Sequence, residues 1–344
     1  MDIIEIKRTI QHDEAYSFLR THRGLGANII LLGLGGSYSY GTNIETSDID
    51  IRGITMPTKR ELLLGSFPSQ YTDNATDTVI YSLPSFFKLL INCNPNIIEL
   101  LFEDPKTILF CSKIGQKLID NRKMFLSQKA YYSFGGYAFA QLRKLKNAST
   151  TNMSQKEQNQ TTLGAVVKTA HEIKDKYFPF SERDIQFSID TDQNGKSSLL
   201  VNANLNKYPL KDLSGFCAEL NNVFQSYTQM SSHRNTNAIN HGKINKHAMH
   251  LIRLMYYAID ILENGDFCTY CTKHHDLLMD IRNGKYQQED GRLNSVFFDM
   301  VNQLQAHMDH VFQHTQLPKK VDIDAINNLQ LELIEDFLDT QSDA

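Results

Sequence analysis

The stretch from Ile29 to Ile54, IILLGLGGSYSYGTNIETSDIDIRGI, constrains this chain more than any other. Ile29 to Leu34 is an apolar run of strand length, far too short to span a membrane. It enters a glycine turn at Gly33, Gly35 and Gly36, and Ser37 follows. After a polar segment comes a second apolar strand that carries Asp48 and Asp50. Side chains two apart on a strand share a face, so these carboxylates are expected to project together while Ile49 and Ile51 turn into the core. Two aligned carboxylates beside a glycine-rich turn suit a cradle for a metal-bound triphosphate.

A length of 344 residues suggests two domains and ample material for a core. With 41% hydrophobic and 22% charged residues the composition is that of an ordinary globular protein. The formal net charge of -4 excludes a globally basic nucleic-acid coat but leaves room for a local basic groove. The N-terminus, MDIIEIKRTIQHDEAY, has no charged-then-apolar signal pattern, so the expected location is cytoplasmic, with no membrane partner. Five cysteines, an odd number without a secretory signal, point to free thiols.

The expected fold class is α+β, a small mixed sheet with helices followed by a mainly helical domain. A helix over Ile4 to Arg23 precedes the signature, and Arg52-Gly53 and Met56-Pro57 close the second strand. Asp77 opens a third strand, DTVIYSL, with Val79 and Tyr81 on its own face. Pro84 begins the helix PSFFKLLINCN, and Asn94-Pro95-Asn96 is a turn. From Ser112 helical patterns dominate: Ser112 to Asn121, Ser127 to Leu145, Thr161 to Tyr177, Leu210 to Met230, Lys243 to Glu263, Leu293 to His314 and Ala325 to Leu338. One hairpin, about 186–206, interrupts them at the Asn194-Gly195 turn. The expected division is a catalytic domain at residues 1–111 and a helical domain at residues 112–344.

Gly36-Ser37 followed by Asp48 and Asp50 resembles the signature of the DNA polymerase β nucleotidyltransferase superfamily. Within it the chain looks like the RNA-ligase-associated nucleotidyltransferase family, predicted to act in RNA repair. The segments CNPNIIELLF, YAFAQLRKL, KHAMHLIRLMYYAIDILENGDF, LLMDIRNGK and LPKKVDIDAINNL carry the resemblance over most of the chain, leaving out the hairpin around Asn194 and the segment near Gln155. The resemblance implies that Asp48 and Asp50 bridge Mg²⁺ or Mn²⁺ ions. It implies as well that a third carboxylate holds the metal that activates the acceptor, and that Ser37 and the Gly36 amide hold the β- and γ-phosphates. The chemistry is consistent, because two ions about 3.5–4 Å apart can stabilise both attacking and leaving oxygens, and carboxylates are suitable hard ligands. Asp77 is the choice for the third carboxylate, since it heads the next strand; Asp73 and Glu99 are the alternatives, Glu99 reading as a surface or capping residue.

Lys243, Lys246, His250 and Arg253 fall at spacings of three, four and three, on one helical stripe. By the resemblance Lys243 and Lys246 are phosphate contacts, and Arg253 reads alternatively as a structural ion-pair partner. Lys168, His171 and Lys174 read as a solvated face. Among the aromatics Tyr38, Tyr40, Tyr131, Tyr132, Phe134 and Tyr137, Tyr40 is the best candidate to stack on a base, because it lies between Ser37 and Asp48. Cys268, Cys271, His274 and His275 could donate zinc ligands, but their tight spacing favours a structural role. The expected activity is metal-dependent transfer of a nucleotidyl group from an NTP to a hydroxyl, at an RNA end, with pyrophosphate released. The alternatives are AMP transfer to a protein acceptor through the same site, and an inactive nucleotide- or RNA-binding module. Acceptor, base preference and oligomeric state are not legible in the sequence.

Overall fold

The structure, a computed structural model, describes residues 2–149, 185–191, 197–203 and 243–342, with isolated helical positions at 213, 217, 220 and 221. The expected helices Thr161 to Tyr177 and Leu210 to Met230, the turn at Asn194-Gly195, the segment near Gln155 and the cations Lys168, His171 and Lys174 lie outside the described residues, apart from those isolated positions. The chain divides into two compact units, Met1–Leu142 with Asn245–Ala344, and Arg143–Ile244. It is an α+β protein. A five-stranded mixed sheet with helices occupies the N-terminal part, and helices dominate the described part of the C-terminal region.

The chain begins with helix α1 (Ile3–His12) and the one-turn α2 (Phe18–Thr21). One continuous helix to Arg23 was expected. Asp13 interrupts it, because its backbone is extended and its side chain accepts from the Ala15 N–H, starting a separate 3₁₀ turn at Glu14–Tyr16. Strand β1 (Ile29–Gly35) follows, then α3 (Gly36–Tyr40), β2 (Asp50–Thr55), α4 (Lys59–Leu64), β3 (Gln70–Asp73) and β4 (Thr78–Ser82). Helices α5 (Leu83–Ile91) and α6 (Pro95–Leu101) lead to β5 (Ile108–Cys111) and α7 (Lys113–Asp120). The sheet order is β3-β4-β2-β1-β5, with β2 and β4 parallel and the other pairs antiparallel. Strands β3 and β5 were not expected from the sequence: QYTD has no apolar alternation, and ILFC is shorter than the usual pattern window. Strand β2 runs through Arg52-Gly53 to Thr55 and ends, as expected, at Met56-Pro57.

The apolar run of β1 is covered on both faces, which explains why it is continuous rather than alternating. Ile6, Ile10, Tyr16 and Leu19 pack with Leu32, Leu34, Ile51 and Ile80 in one cluster. Helix α5 lies against β2 and β4, and α7 against β1 and β5. Helix α8 (Lys129–Ser149) follows, then the antiparallel hairpin of β6 (Ile185–Thr191) and β7 (Ser197–Ala203). After it come α9 (Lys243–Asn264), α10 (His275–Arg282), α11 (Ser295–His314) and α12 (Ile323–Ser342). The buried residues of α11, Phe297, Val301, Leu304, Met308 and Val311, recur every three or four positions and form one apolar stripe. Helix α12 lies against α5 and α7, and Lys117 of α7 pairs with its Glu332 and Asp336. Among the described residues no helix is long and apolar enough to cross a membrane.

Helix α9 supplies the internal cross-tie. Arg253 donates to Glu99 Oε1 of α6 at 2.7 Å, Tyr40 of α3 donates to Glu99 Oε2 at 2.8 Å, and the guanidinium lies 3.5 Å from the Tyr40 ring centroid. Arg253 and Glu99 side chains are only 5% and 8% exposed, so water screens neither charge. Removing one member strands the other as a buried charge, a loss of about 3–5 kcal/mol. We therefore expect Arg253→Met to lower stability by that order in urea unfolding, and Glu99→Gln combined with Arg253→Met to recover a large part of it. A single variant within about 1 kcal/mol of the parent contradicts the cross-tie.

Candidate active site

The site forms where β1 ends and β2 begins. Antiparallel pairing sets Gly35 opposite Asp50, and the chain then turns sharply into α3 through Gly36, whose φ is +58°. A side-chain Cβ at Gly36 would land on the Asp50 carboxylate. Glycine is required there twice, once for the left-handed backbone and once for the space that Asp50 fills. Ser37 is buried in the first turn of α3, and its carbonyl accepts from the Thr42 N–H at 2.9 Å.

The two signature aspartates differ in setting. Asp50 is the first residue of β2, whereas Asp48 lies in the preceding loop and is exposed, so the pair does not share a strand as expected. Ile49 and Ile51 do turn into the core as expected. Asp50 shares the strand face with Arg52, whose Nη2 lies 3.5 Å from Asp50 Oδ1. Burial raises the Asp50 proton affinity. Arg52 and Lys246 oppose that shift, while Asp77 and Asp48 add to it, so all four charges act on this carboxylate.

Asp77 reaches this edge through the parallel register. Ile51 pairs with Thr78, and the Asp77 carbonyl accepts from the Ile51 N–H at 3.2 Å and from Arg52 Nη1 at 2.6 Å. It is the last residue of a turn and not the head of the strand, with φ of 49°. Such a left-handed conformation is costly for a residue other than glycine, and aspartate is among those that tolerate it. Arg52 was read only as the end of a strand. Its spacing of two from Asp50 was the signal that it belongs to the site.

Other expected residues take different places. Tyr40 is no stacking platform: it is 7% exposed, Arg253 covers one face of its ring, and its hydroxyl is bound to Glu99. Glu99 is a buried ion-pair partner and not a surface or capping residue, and Asp73 accepts from the Thr76 N–H and hydroxyl within its own turn. Lys246 is exposed on α9 and acts on Asp50; Lys243 opens the same helix, and its side chain lies outside the described residues. Tyr38 and Phe134 are buried, and Tyr131 donates to Asp309 at 2.6 Å. Tyr132 and Tyr137 are exposed.

The cysteine and histidine cluster has structural contacts. The Cys271 thiol meets the Tyr257 hydroxyl at 3.0 Å, and burial pushes its pKa up to about 11. His274 stacks on Tyr256, and His275 Nε2 lies 2.9 Å from the Gly41 carbonyl. Among the described residues no three Asp, Glu, His or Cys side chains stand close enough to cage a metal ion. Mg²⁺ needs no such cage, because it keeps waters and takes one or two carboxylates together with substrate phosphates. Asp48 and Asp50 fit that mode of holding.

A cavity of about 110 Å³ adjoins Asp50, lined by Gly35, Arg52, Asn96, Glu99 and Glu103 among others. The Glu103 carboxyl packs on Gly33 and accepts from Thr107 Oγ1 at 3.3 Å. Burial pushes its pKa well above the carboxylate range, the Thr107 hydrogen bond pulls it back, and nearby Glu99 raises it further. The folded protein therefore keeps a proton that the unfolded chain releases above pH ~4.3. Stability from this group is full below that pH and declines as pH rises toward the raised pKa, by up to about 1.4 kcal/mol per unit. Glu103→Gln keeps the shape without the titration. It should flatten the fall in urea midpoint as pH rises above about 4.3, and equal slopes for both proteins would count against this assignment.

The RlaP family, described as the RNA repair pathway DNA polymerase beta family, matches residues 10–170, a span that includes Gly36, Ser37, Asp48, Asp50 and Asp77. An Enterobacteria phage T4 protein, "Uncharacterized 38.9 kDa protein in nrdC-mobD intergenic region", is 25% identical over 160 residues, which are 43% of this chain and 45% of that protein. The match thus spans less than half the length of that relative. No solved structure matches the chain. The family match bears out the resemblance carried by the glycine turn and the aspartates.

Proposed function

We propose that this chain is a metal-dependent nucleotidyltransferase that moves a nucleotidyl group from an NTP to a hydroxyl at an RNA end and releases pyrophosphate. The match to the RNA repair family supports nucleotidyl transfer and an involvement of nucleotide and RNA. One observation carries the site reading: Gly36 leaves room for the Asp50 carboxylate, so the phosphate-turn and carboxylate elements are built against each other. Such transfer requires a triphosphate held in line with a hydroxyl, in a field that stabilises the charge developing at phosphorus.

Asp48 and Asp50 would hold Mg²⁺ or Mn²⁺, which when bound supplies the Lewis acidity that stabilises the attacking and leaving oxygens. Asp77, set beside Asp50 by the parallel register, is positioned to orient the acceptor hydroxyl and receive its proton. Ser37 and the Gly36 N–H hold the outer phosphates, with Lys246 as a charge contact from α9. Arg52 positions Asp50 and the Asp77 backbone through its two contacts.

The double variant Asp48→Asn, Asp50→Asn should fold, by circular dichroism, yet lose transfer of α-labelled NTP into RNA by ~10²-fold or more. Chelation by EDTA should silence the parent protein, and added Mg²⁺ or Mn²⁺ should restore it. Unchanged transfer by the folded double variant defeats the assignment, and label appearing in protein instead of RNA replaces the RNA end with a protein acceptor. NTP binding with no pyrophosphate release would mark an inactive binding module.

A further inference from the structure

Arg282, in the last turn of α10, is half-buried and has no carboxylate at ion-pair distance among the described residues. Its Nη2 donates to Ser47 Oγ at 3.2 Å, while Nη1 is shut off from solvent with no hydrogen-bond partner. The other arginines near the site are neutralised, Arg253 by Glu99 and Arg52 by Asp50. A guanidinium with buried, unmade hydrogen bonds carries a desolvation cost that only an anion or strong acceptor relieves.

Its place in the chain tells which anion fits. Ser47 is the residue before Asp48, so the guanidinium lies beside the loop that delivers the signature carboxylate. Lys246, likewise without an ion-pair partner among the described residues, acts on Asp50 from α9. His250 feels these charges: burial holds its pKa well below the usual histidine value, and Arg253, Lys246, His247 and Arg282 all push it further down. It stays neutral and adds no competing charge. Arg282, held beside the Asp48 loop, and Lys246, acting on Asp50, are thus two cations without ion-pair partners among the described residues that both act on His250, a set suited to a polyanion.

We propose that Arg282 is a binding residue for the terminal phosphates of a nucleoside triphosphate, the guanidinium shifting so that Nη1, shut off from solvent in this structure, meets the phosphate oxygens while Nη2 stays on Ser47. This rests on the nucleotidyltransferase reading and adds to it a residue that determines preference for triphosphate over shorter phosphates. A planar guanidinium can give two parallel hydrogen bonds to a phosphate, which a lysine cannot.

The test uses the full chain, with inorganic tripolyphosphate and ATP as probes in Mg²⁺, followed by calorimetry. Arg282→Ala should weaken tripolyphosphate binding by about tenfold or more, and Ser47→Ala, which removes only the tether, should leave it within about twofold. Arg282→Lys keeps the charge and loses the fork, and serves where alanine unfolds the protein; it should weaken binding by about threefold or more. Parent-like affinity in both Arg282 variants overturns the inference, as does a Ser47→Ala loss equal to that of Arg282→Ala, which makes Arg282 a tether alone. A parent protein that binds ATP and tripolyphosphate while its Arg282 variants are unaffected sinks this inference only, whereas a parent that binds neither overturns the nucleotidyltransferase reading with it.

Discussion

The buried pair of Arg253 and Glu99 is the constraint on which the rest of this structure depends. The two residues are 154 positions apart, so the N-terminal sheet module and α9 cannot complete their cores independently. Tyr40 joins the same network, and the backbone follows: Cys271 N–H donates to the Tyr40 carbonyl at 3.2 Å, Thr269 N–H to the Phe102 carbonyl at 3.0 Å, and Ser39 Oγ to Thr269 Oγ1 at 3.0 Å. All these bonds land on α3 or on the end of α6. The five-residue helix α3 is too short to persist by its own hydrogen bonds, so its position is set by these contacts. Gly36 and Ser37 open that helix, and their placement against Asp50 is thereby inherited from residues more than two hundred positions later.

Charge in the site is managed by distance and by protonation. Asp50 is held against Arg52, and Glu103, which lines the same cavity, has its proton affinity raised well above the usual by burial. Were Glu103 ionised, a further negative charge would line the cavity with Asp50 and Glu99 in a small volume of low dielectric. The neutral acid leaves the negative potential concentrated at the sheet edge, where the carboxylates of the signature are. Farther along, the neutral His250 leaves the cations Lys246 and Arg282 to set the sign on the other side. The result is a short path from negative to positive, the polarity that a metal-bound triphosphate would match.

The parts legible in the sequence were those that follow local rules. The apolar run of β1, the glycine turn, Pro84 near the start of α5 and the capped α7 were all visible because period, turn chemistry and caps act over a few residues. Strand β3 escaped because QYTD forms at the sheet edge through pairing with β4, which no local pattern encodes. The Asp13 break escaped because an apolar period ran through it, although an aspartate offering a cap to Ala15 was a readable sign. At the site, residue identity was legible and geometry was not. Asp48 and Asp50 were read as neighbours on one strand, but the strand begins only where pairing with Gly35 begins. Tyr40 was placed near the ligand by proximity in sequence, yet tertiary packing turned it into the Glu99 and Arg253 network. Arg282 lies in the LLMDIRNGK segment that carries the resemblance, yet its role was not legible there, since its importance lies in what it does not pair with.

Several features that a stability-only design would remove lie around the glycine turn. Gly36 and Asp77 adopt left-handed backbone there, Asp50 has its proton affinity raised by burial, and Arg282 keeps an unmade hydrogen bond. Other such features stand elsewhere, with left-handed backbone at Cys93 and buried side-chain atoms without a partner on Arg122, Ser133 and Gln305, while the sheet core is packed with Ile, Leu and Phe. Around the glycine turn these costs coincide with the aspartates of the signature, where a highly charged ligand would supply the missing partners. The cross-tie through Arg253 gives the scaffold the rigidity to hold that edge in readiness.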